Sequence, residues 1–346
     1  MCGGIATGVG SWPGTDPREA AATVVGELTD LAHLPELPGR GTGSDMVGRA
    51  SALLVDMRLD TTTRGYRLAA RPGSVARRAR DLLRTDLDAL EEAWETTGSS
   101  GSGRVLKVQS IGPLTLAAQV ELASGHRVLT DSGAVRDLSE SLAEGLSTHI
   151  AELATRLDAR IILQLDEPSI PDVLSGTLRG PSVLNTVRAL PEPEVLHILD
   201  TVVTAQPAPV LIHSCAAPPP LSFLGQSKAA AIGFDLSTIA TQNLDAVGEL
   251  LDAGKYLALG LIPTTAPTIP TTWRELAEPG TRLVDRLGFP RRTLAERVLV
   301  TPACGLAGAG LSWARRALDL SVEIANAFAD EPESLAFAAD DQRSQT

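Results

Sequence analysis

The sequence predicts an α/β fold, specifically a closed (β/α)8 TIM barrel, and three observations lead to this prediction. Short β-branched runs alternate with longer segments of helical period, a pattern typical of parallel strands covered by helices. About eight such units follow one another, and eight favour a closed barrel over an open sheet. The chain has 346 residues, 43% of them hydrophobic. It is therefore long enough for one barrel of about 250 residues with insertions.

The eight predicted strands are short and mostly apolar. In chain order they are Ala6–Gly10, Ala32–Glu36, Val105–Ser110, Ile161–Asp166, Pro209–His213, Ala231–Asp235, Tyr256–Leu261 and Val298–Thr301. Helical periods between them are clearest at Ala20–Leu31, Val135–Leu157, Glu192–Thr204, Leu244–Leu251 and Thr281–Leu287. This alternation places each helix between two parallel strands.

Two segments between these elements are predicted to be loops. Thr96–Arg104 is rich in Gly and Ser and is expected to be flexible. Val173–Pro191 carries Gly, Pro and Ser, follows the fourth strand, and is expected to cover one barrel mouth as a lid. We expect a single domain over residues 1–346, with flexible ends at residues 1–5 and 330–346.

Composition and charge exclude several classes of partner. The net charge is −12 and no basic stripe stands out, which argues against binding to nucleic acid or to an anionic membrane surface. The longest apolar runs are too short to cross a bilayer, and the N-terminus lacks a secretory signal. Three widely spaced cysteines do not form a disulfide framework. A reduced, cytoplasmic setting and a small-molecule partner are therefore expected.

Three metal-binding side chains fall at the ends of predicted strands. His213 ends one strand, and Cys215, two residues later, points to the same side of an extended chain. Cys304 follows the last strand. Active sites of such barrels are built at the C-terminal ends of the strands, and thiolates with an imidazole suit zinc. Each residue alone is explained more simply by burial in the core, but their joint placement favours a zinc site.

Asp235 lies at the end of the strand between these ligands, and two roles stay open for it. Its carboxylate is placed to be the fourth zinc ligand, or to cap a helix or form an ion pair.

Two further strand ends indicate substrate binding. Asp166 and Glu167 end an apolar strand, which suits a cation such as a substrate ammonium group, or alternatively an N-cap. Gly8–Pro13 follows the first strand, and its backbone N–H groups with the Ser11 hydroxyl suit a carboxylate. A similar turn at Ile111–Thr115 is either structural or functional.

These motifs, in this order, resemble the catalytic C-terminal domain of cobalamin-independent methionine synthase, from Thr7 to about Phe328. The resemblance covers Thr7–Pro13 (T-x-I-G-S-F-P), Ser44–Val47 (N-D-M-V), Gly112–Thr115 (G-P-V-T), Leu165–Pro168 (I-D-E-P), His213–Cys215 (H-x-C) and Pro302–Leu306 (P-D-C-G-L). It implies a zinc ion held by His213, Cys215, Asp235 and Cys304, with Asp235 at the position of the family's Glu.

The resemblance also implies a substrate and a reaction. Val9, Gly10 and Ser11 would hold the carboxylate of homocysteine, and Asp166 its ammonium group. The bound thiol would react as a thiolate and take a methyl group, as in methionine biosynthesis.

Three departures from the family pattern bear on this expectation. The half of the complete enzyme that helps to hold folate has no counterpart in this chain. The family's H-G-E falls near Arg40, a cation where an acid is expected, although a shift of the loop would restore Glu36. Thr265 stands where the family has its proton-donating His. Because methylcobalamin, unlike methyltetrahydrofolate, leaves without needing a proton, methylcobalamin or a corrinoid protein is the favoured donor.

Two other functions fit the same sequence. One is a decarboxylase of the uroporphyrinogen type, which uses no metal and leaves the His-x-Cys motif unexplained. The other is a non-catalytic zinc- or thiol-binding homologue whose active site has decayed at Arg40 and Thr265. Fold alone does not decide between these functions.

Overall fold

A computed structural model describes residues 1, 3–71, 73–98, 103–181 and 186–335. Its strands are β1 (Ile5–Ala6), β2 (Leu31–His33), β3 (Leu59–Thr62), β4 (Gly65–Leu68), β5 (Val105–Ile111), β6 (Val120–Glu121), β7 (Arg160–Asp166), β8 (Val210–His213), β9 (Ala231–Asp235), β10 (Tyr256–Ile262) and β11 (Val298–Pro302). Its helices are α1 (Pro17–Glu27), α2 (Met46–Leu53), α3 (Ser74–Thr96), α4 (Pro113–Gln119), α5 (Ser132–Leu157), α6 (Ile170–Ser175), α7 (Glu192–Thr204), α8 (Leu221–Gly225), α9 (Leu244–Asp252), α10 (Trp273–Leu287), α11 (Arg292–Arg297) and α12 (Leu311–Asp330).

Eight parallel strands form the barrel, in the order β1-β11-β10-β9-β8-β7-β5-β2. The ring closes just beyond the ends of β1 and β2. There the Glu36 N–H donates to the Gly10 carbonyl at 3.1 Å, and the Trp12 N–H donates to the Glu36 carbonyl at 2.8 Å. The predicted (β/α)8 TIM barrel is thus confirmed.

The first two strands are shorter than predicted, because the chain turns away from the sheet early. β1 ends at Ala6 and the segment to Gly10 curves over His33. A Cβ atom on Gly8 would lie 2.2 Å from Cε1 of His33, so only glycine allows this approach. Gly10 has a φ of +152°, which also favours glycine. The turn after β1 is therefore shaped by its glycines.

The barrel interior changes from apolar to polar along its axis. Its N-terminal layer is formed by Leu31, Ile162, Leu211, Ala231, Ala258 and Leu299. Two residues further along several of these strands, the same inward face carries His33, Gln164, His213 and Thr301. The polar layer lies at the C-terminal ends, where the site is expected.

A three-stranded sheet of β3, β4 and β6 lies outside the barrel and was not predicted. It also helps to hold the predicted lid segment, since the Arg64 side chain donates to the Pro181 carbonyl at 3.0 Å. Residues 182–185 of the predicted lid, and residues 99–102 of the predicted loop, lie outside the described residues. A lid role for this segment stays a prediction.

Both ends of the chain make contacts with the barrel within segments that were predicted to be flexible. The Gly4 N–H donates to the Val298 carbonyl at 2.7 Å, and Ile5 pairs with Leu299, so these residues are not a free end. Near the other end, Glu333 accepts from the Arg292 N–H at 3.1 Å. Flexibility of the two ends stays a prediction, and residues 2 and 336–346 lie outside the described residues. Within the described part of the chain, every helix is too short or too polar to cross a membrane.

Candidate metal centre and active site

The His213, Cys215 and Cys304 side chains meet at the C-terminal end of the barrel. One ligand atom from each lies within 4.8 Å of the other two. Glycines on the neighbouring strands make room for them. A Cβ atom on Gly233 would lie 3.2 Å from Nδ1 of His213, and one on Gly260 would lie 2.6 Å from the Cα atom of Ala303. The structure thus brings together the three predicted ligands from β8 and from the loop after β11.

The chemistry of this cluster fits a zinc ion. His213 is buried, and its Nε2 atom has no hydrogen-bond partner among the described residues. The Cys304 thiol has the largest effect on Cys215 and lowers its pKa, and the His213 imidazole lowers it further. Cys215 in turn raises the pKa of Cys304. One thiolate is therefore available near neutral pH for a cation. Two sulfur donors and a vacant imidazole nitrogen form a donor set that zinc prefers.

Asp235 lies beside this cluster but is not one of the residues within 4.8 Å of each other. Its Oδ1 atom accepts from the Ser237 N–H at 2.8 Å and caps the short 3₁₀ turn at Leu236–Thr238. This is the capping role that was open from the sequence. The cap uses only Oδ1 of the carboxylate, which leaves Oδ2 for a cation, and the role of Asp235 as the fourth ligand stays a prediction.

Two cavities adjoin the cysteine pair, since both are lined by Cys215 and Cys304. The first, which we call the acidic cavity, has a volume of about 250 Å³. Its lining includes Val9, Ser11, Glu36, Ser44, Asp166 and His213. The second, the threonine cavity, has a volume of about 370 Å³. Its lining includes Asp235, Ser237, Thr264, Thr265 and Pro279.

Glu36 supplies the second carboxylate of the acidic cavity. Its side chain pairs with Arg49 at 3.3 Å. Arg40 points elsewhere, because it forms a buried ion pair with Asp86 at 2.7 Å. Matching the family's H-G-E to this sequence residue by residue places Arg40 near the substrate, but Arg40 does not line this cavity. The short loop after β2 places Glu36 there, four residues earlier in the chain.

Both carboxylates of the acidic cavity are held in an environment of low polarity. Burial raises the pKa of Asp166, opposed by His213, Lys107 and a hydrogen bond from Gln164. Burial likewise raises the pKa of Glu36, opposed mainly by Arg49. An organic cation that enters the cavity would stabilise both ionised forms.

The predicted carboxylate-binding turn lies at the edge of the same cavity. Val9 and Ser11 line it, whereas Gly10 packs against Gln109. The Ser11 carbonyl accepts from the Leu306 N–H at 2.9 Å, which ties the first turn of the barrel to the loop that carries Cys304. Val9, Ser11, Asp166 and the cysteine pair are thus placed around one volume.

Glu167, the neighbour of Asp166, has a structural role. Its buried carboxylate accepts from the Leu114 N–H at 2.9 Å and the Thr115 N–H at 2.8 Å. A Cβ atom on Gly112 would lie 2.3 Å from its Oε1 atom. The Glu167 carboxylate therefore fills the turn before α4. This is the structural one of the two roles that the sequence left open for the turn at Ile111–Thr115.

Three buried residues beneath the acidic cavity were missed in the sequence, namely Lys107, Gln109 and Gln164. Lys107 is completely buried, and the two glutamines face each other in the register of β5 and β7. A signal was present, because Lys107 and Gln109, like Gln164 and Asp166, are two residues apart on strands that are otherwise apolar. Such spacing places the polar side chains on one face of each strand, toward the barrel interior.

Comparison with known proteins agrees with this architecture. In fold, the chain is similar to a B12-independent methionine synthase from Shewanella sp. W3-18-1 in complex with selenomethionine, with a TM-score of 0.60 and 12% identity over 95% of this chain and 98% of that one. It is also similar to a methyltransferase from Methanosarcina mazei, with a TM-score of 0.53 and 14% identity over 96% of this chain and 93% of that one. No curated protein matches the sequence.

A family model identifies the chain more directly than these distant structures do. Residues 5–327 match the model described as "Cobalamin-independent synthase, Catalytic domain", which covers the barrel and all the site residues above. The match supports methyl transfer as the chemistry of the protein. The chain belongs to the family of the cobalamin-independent synthase catalytic domain.

Proposed function

We propose that the protein is a zinc-dependent S-methyltransferase that converts homocysteine to methionine, with methylcobalamin, free or on a corrinoid protein, as the methyl donor. One observation carries this proposal: Cys215 and Cys304 line two separate cavities of different chemistry. A thiol bound at the cysteine pair from one cavity faces a donor in the other. Such an arrangement suits direct transfer of a methyl group between two bound molecules.

The acidic cavity supports an amino-acid thiol as the acceptor. Asp166 and Glu36 supply two carboxylates for the substrate ammonium group, while the Val9–Ser11 turn offers backbone and hydroxyl groups to its carboxylate. Its volume of about 250 Å³ suits a small molecule rather than a polymer. A short chain of the length of homocysteine would reach from these groups to the cysteine pair.

His213, Cys215 and Cys304 would hold the zinc ion at the junction of the cavities. A zinc ion bound there lowers the pKa of a coordinated thiol, so that the acceptor reacts as a thiolate near neutral pH. Asp166 and Glu36 fix the ammonium end of the acceptor, which aims its sulfur at the opening to the threonine cavity.

The threonine cavity supports a donor that leaves without a proton. Among its described lining residues, the titratable groups are Cys215, Cys304 and Asp235, and Asp235 is engaged in its cap. Thr265 and Thr264 are poor proton donors. Transfer from a methylated ring nitrogen of folate benefits from an acid, whereas a methylated cobalt leaves as a reduced metal centre. The lining therefore favours methylcobalamin.

A donor screen tests the proposed function. Zinc-loaded protein is incubated with homocysteine and either methylcobalamin or methyltetrahydrofolate, and methionine is measured. We expect methionine from methylcobalamin and none above background from methyltetrahydrofolate. Use of methyltetrahydrofolate alone would contradict the proposed donor. Intact zinc and homocysteine binding without methyl transfer from either donor would favour a non-catalytic homologue.

The role of Asp235 is tested by metal affinity. Asp235→Asn keeps a side-chain oxygen for the Ser237 cap but weakens coordination to a cation. Because three ligands are already assembled, we expect this variant to lose less zinc affinity than Cys304→Ser. Equal losses in a competition titration with a chelator would show that Asp235 is as important a ligand as the thiolate.

A further inference from the structure

Lys107 is a completely buried lysine in the polar layer of the barrel, below the acidic cavity. Its Nζ atom donates to the Gln164 Oε1 atom at 2.8 Å, to the Val9 carbonyl at 2.9 Å and to the Gln109 Oε1 atom at 3.3 Å. A buried ammonium group is costly unless it is paired, so this position needs an explanation.

The contacts of Lys107 fix the orientation of the Gln164 amide. Lysine offers only donors, so Gln164 must turn its Oε1 atom toward Nζ. Its Nε2 atom then donates to Asp166 Oδ1 at 2.7 Å and to the Val9 carbonyl at 2.8 Å. Without the lysine, the amide could rotate and present its oxygen to the Asp166 carboxylate, which would repel it. One buried cation therefore orients the Asp166 carboxylate through Gln164, whereas the Val9 carbonyl accepts from both Lys107 and Gln164 and keeps one partner when the other is lost.

Lys107 also lies close enough to both carboxylates of the acidic cavity to favour their ionised forms. Its charge opposes the effect of burial on the pKa of Asp166 and on that of Glu36. Burial lowers the pKa of Lys107 to about 8, and the same two carboxylates oppose that shift. The lysine is thus mostly protonated at neutral pH and compensates part of the negative charge below the cavity.

We propose that Lys107 is a positioning residue for the α-amino group of the acceptor, which it controls through Gln164 and Asp166 without touching the substrate. The inference rests on the proposed function, in that the acidic cavity binds an amino-acid thiol. It follows that Lys107 helps the enzyme to select thiols with an α-amino group over thiols that lack one.

Two acceptors separate this role from a general structural one. Steady-state kinetics of Lys107→Met are measured with homocysteine and with 4-mercaptobutyrate, which lacks the amino group, together with zinc content and the circular dichroism spectrum. We expect KM for homocysteine to rise by about 10- to 100-fold, since a charge-linked hydrogen bond is lost. KM for 4-mercaptobutyrate should change by less than about threefold, and zinc should stay stoichiometric.

Two further variants complete the experiment. Gln164→Met breaks the link to Asp166 but leaves Lys107 bound to Val9, and it should show the same selective loss. Lys255→Met is the control, because the Lys255 ammonium group is likewise held by protein oxygen atoms, the carbonyls of Ser227 and Ala229, but lies outside both cavities. It should leave KM for both acceptors unchanged.

Three outcomes would overturn the inference. KM for homocysteine could stay unchanged in both variants, or KM for both acceptors could rise in parallel, or both variants could fail to fold. The second and third would assign Lys107 a structural role. Failure of the proposed function is distinguishable in the wild-type protein, which would then either not bind homocysteine in a calorimetric titration or bind it without methyl transfer from either donor.

Discussion

The acidic cavity and the threonine cavity share Cys215 and Cys304, yet they are built from different kinds of residues. The acidic cavity contains two carboxylates, that of Asp166, which is held by Gln164 of β7, and that of Glu36, which is paired with Arg49 of α2. The threonine cavity is lined by the loop after β10, where Thr265 is exposed and uncharged. The lining of the acidic cavity includes two carboxylates, whereas the lining of the threonine cavity is mostly uncharged. Under the proposed function, the acceptor would be recognised by charges fixed within the barrel, and the donor by a loop.

The largest expected effect comes from the group that the two cavities share. Cys304→Ser removes one of two sulfur donors, so we expect zinc affinity to fall by more than roughly 100-fold and methyl transfer to be lost with every donor and acceptor. Zinc is measured by mass spectrometry after dialysis against a chelator. Retention of stoichiometric zinc would show that the metal lies elsewhere.

Asp166→Asn should separate the cavities. The variant removes a buried carboxylate from the acceptor side, so we expect KM for homocysteine to rise on the order of 10- to 100-fold while KM for the donor stays within about twofold. Bisubstrate kinetics at saturating partner concentration give both values. A matching rise in KM for the donor would mean that the two cavities are not independent.

The dependence on pH should also differ between the cavities. The pKa values of Asp166 and Glu36 are raised by burial, so these groups take up protons at higher pH than an ordinary carboxyl, whose pKa is about 4. Binding of an ammonium group needs the ionised forms, and KM for homocysteine should therefore rise as the pH falls, beginning at a higher pH than two ordinary carboxyl groups would give.

The threonine cavity provides the internal control for this pH profile. KM for methylcobalamin should stay flat over the range in which KM for homocysteine changes. A flat profile for homocysteine as well would indicate that the two carboxylates do not bind the acceptor.

Thr265→Ala should have the smallest effect. Thr265 is exposed and is not proposed to transfer a proton, so we expect kcat and both KM values to change by less than about threefold. Steady-state kinetics with methylcobalamin provide the test. A loss of kcat beyond tenfold would give the Thr265 hydroxyl a direct part in the reaction.

Much of this arrangement could be predicted from the sequence, because strand ends are marked by a change from apolar to polar residues. His213, Cys215, Asp166 and Cys304 all follow such changes, and the barrel geometry brings strand ends together. The positions of the barrel strands were predictable for the same reason. The hairpin of β3 and β4 was missed because its strands are short and half-exposed.

What could not be predicted depends on details of loops and of side-chain orientation. Whether Glu36 or Arg40 faces the substrate is decided by the path of the loop after β2 and by Asp86, a residue on α3 that pairs with Arg40. Whether Asp235 also binds a metal depends on the direction of its second carboxylate oxygen, because the first is used in the cap. The buried network of Lys107 is visible in the sequence only as polar spacing, and its partners come from three different strands or turns.

The central claim is that a zinc ion at His213, Cys215 and Cys304 binds the sulfur of the acceptor. Zinc X-ray absorption spectroscopy of the loaded protein, with and without homocysteine, measures the number of sulfur ligands directly. We predict two sulfur ligands at about 2.3 Å in the free protein and three after homocysteine is added. An unchanged count of two at saturating homocysteine would contradict activation of the thiol by the metal.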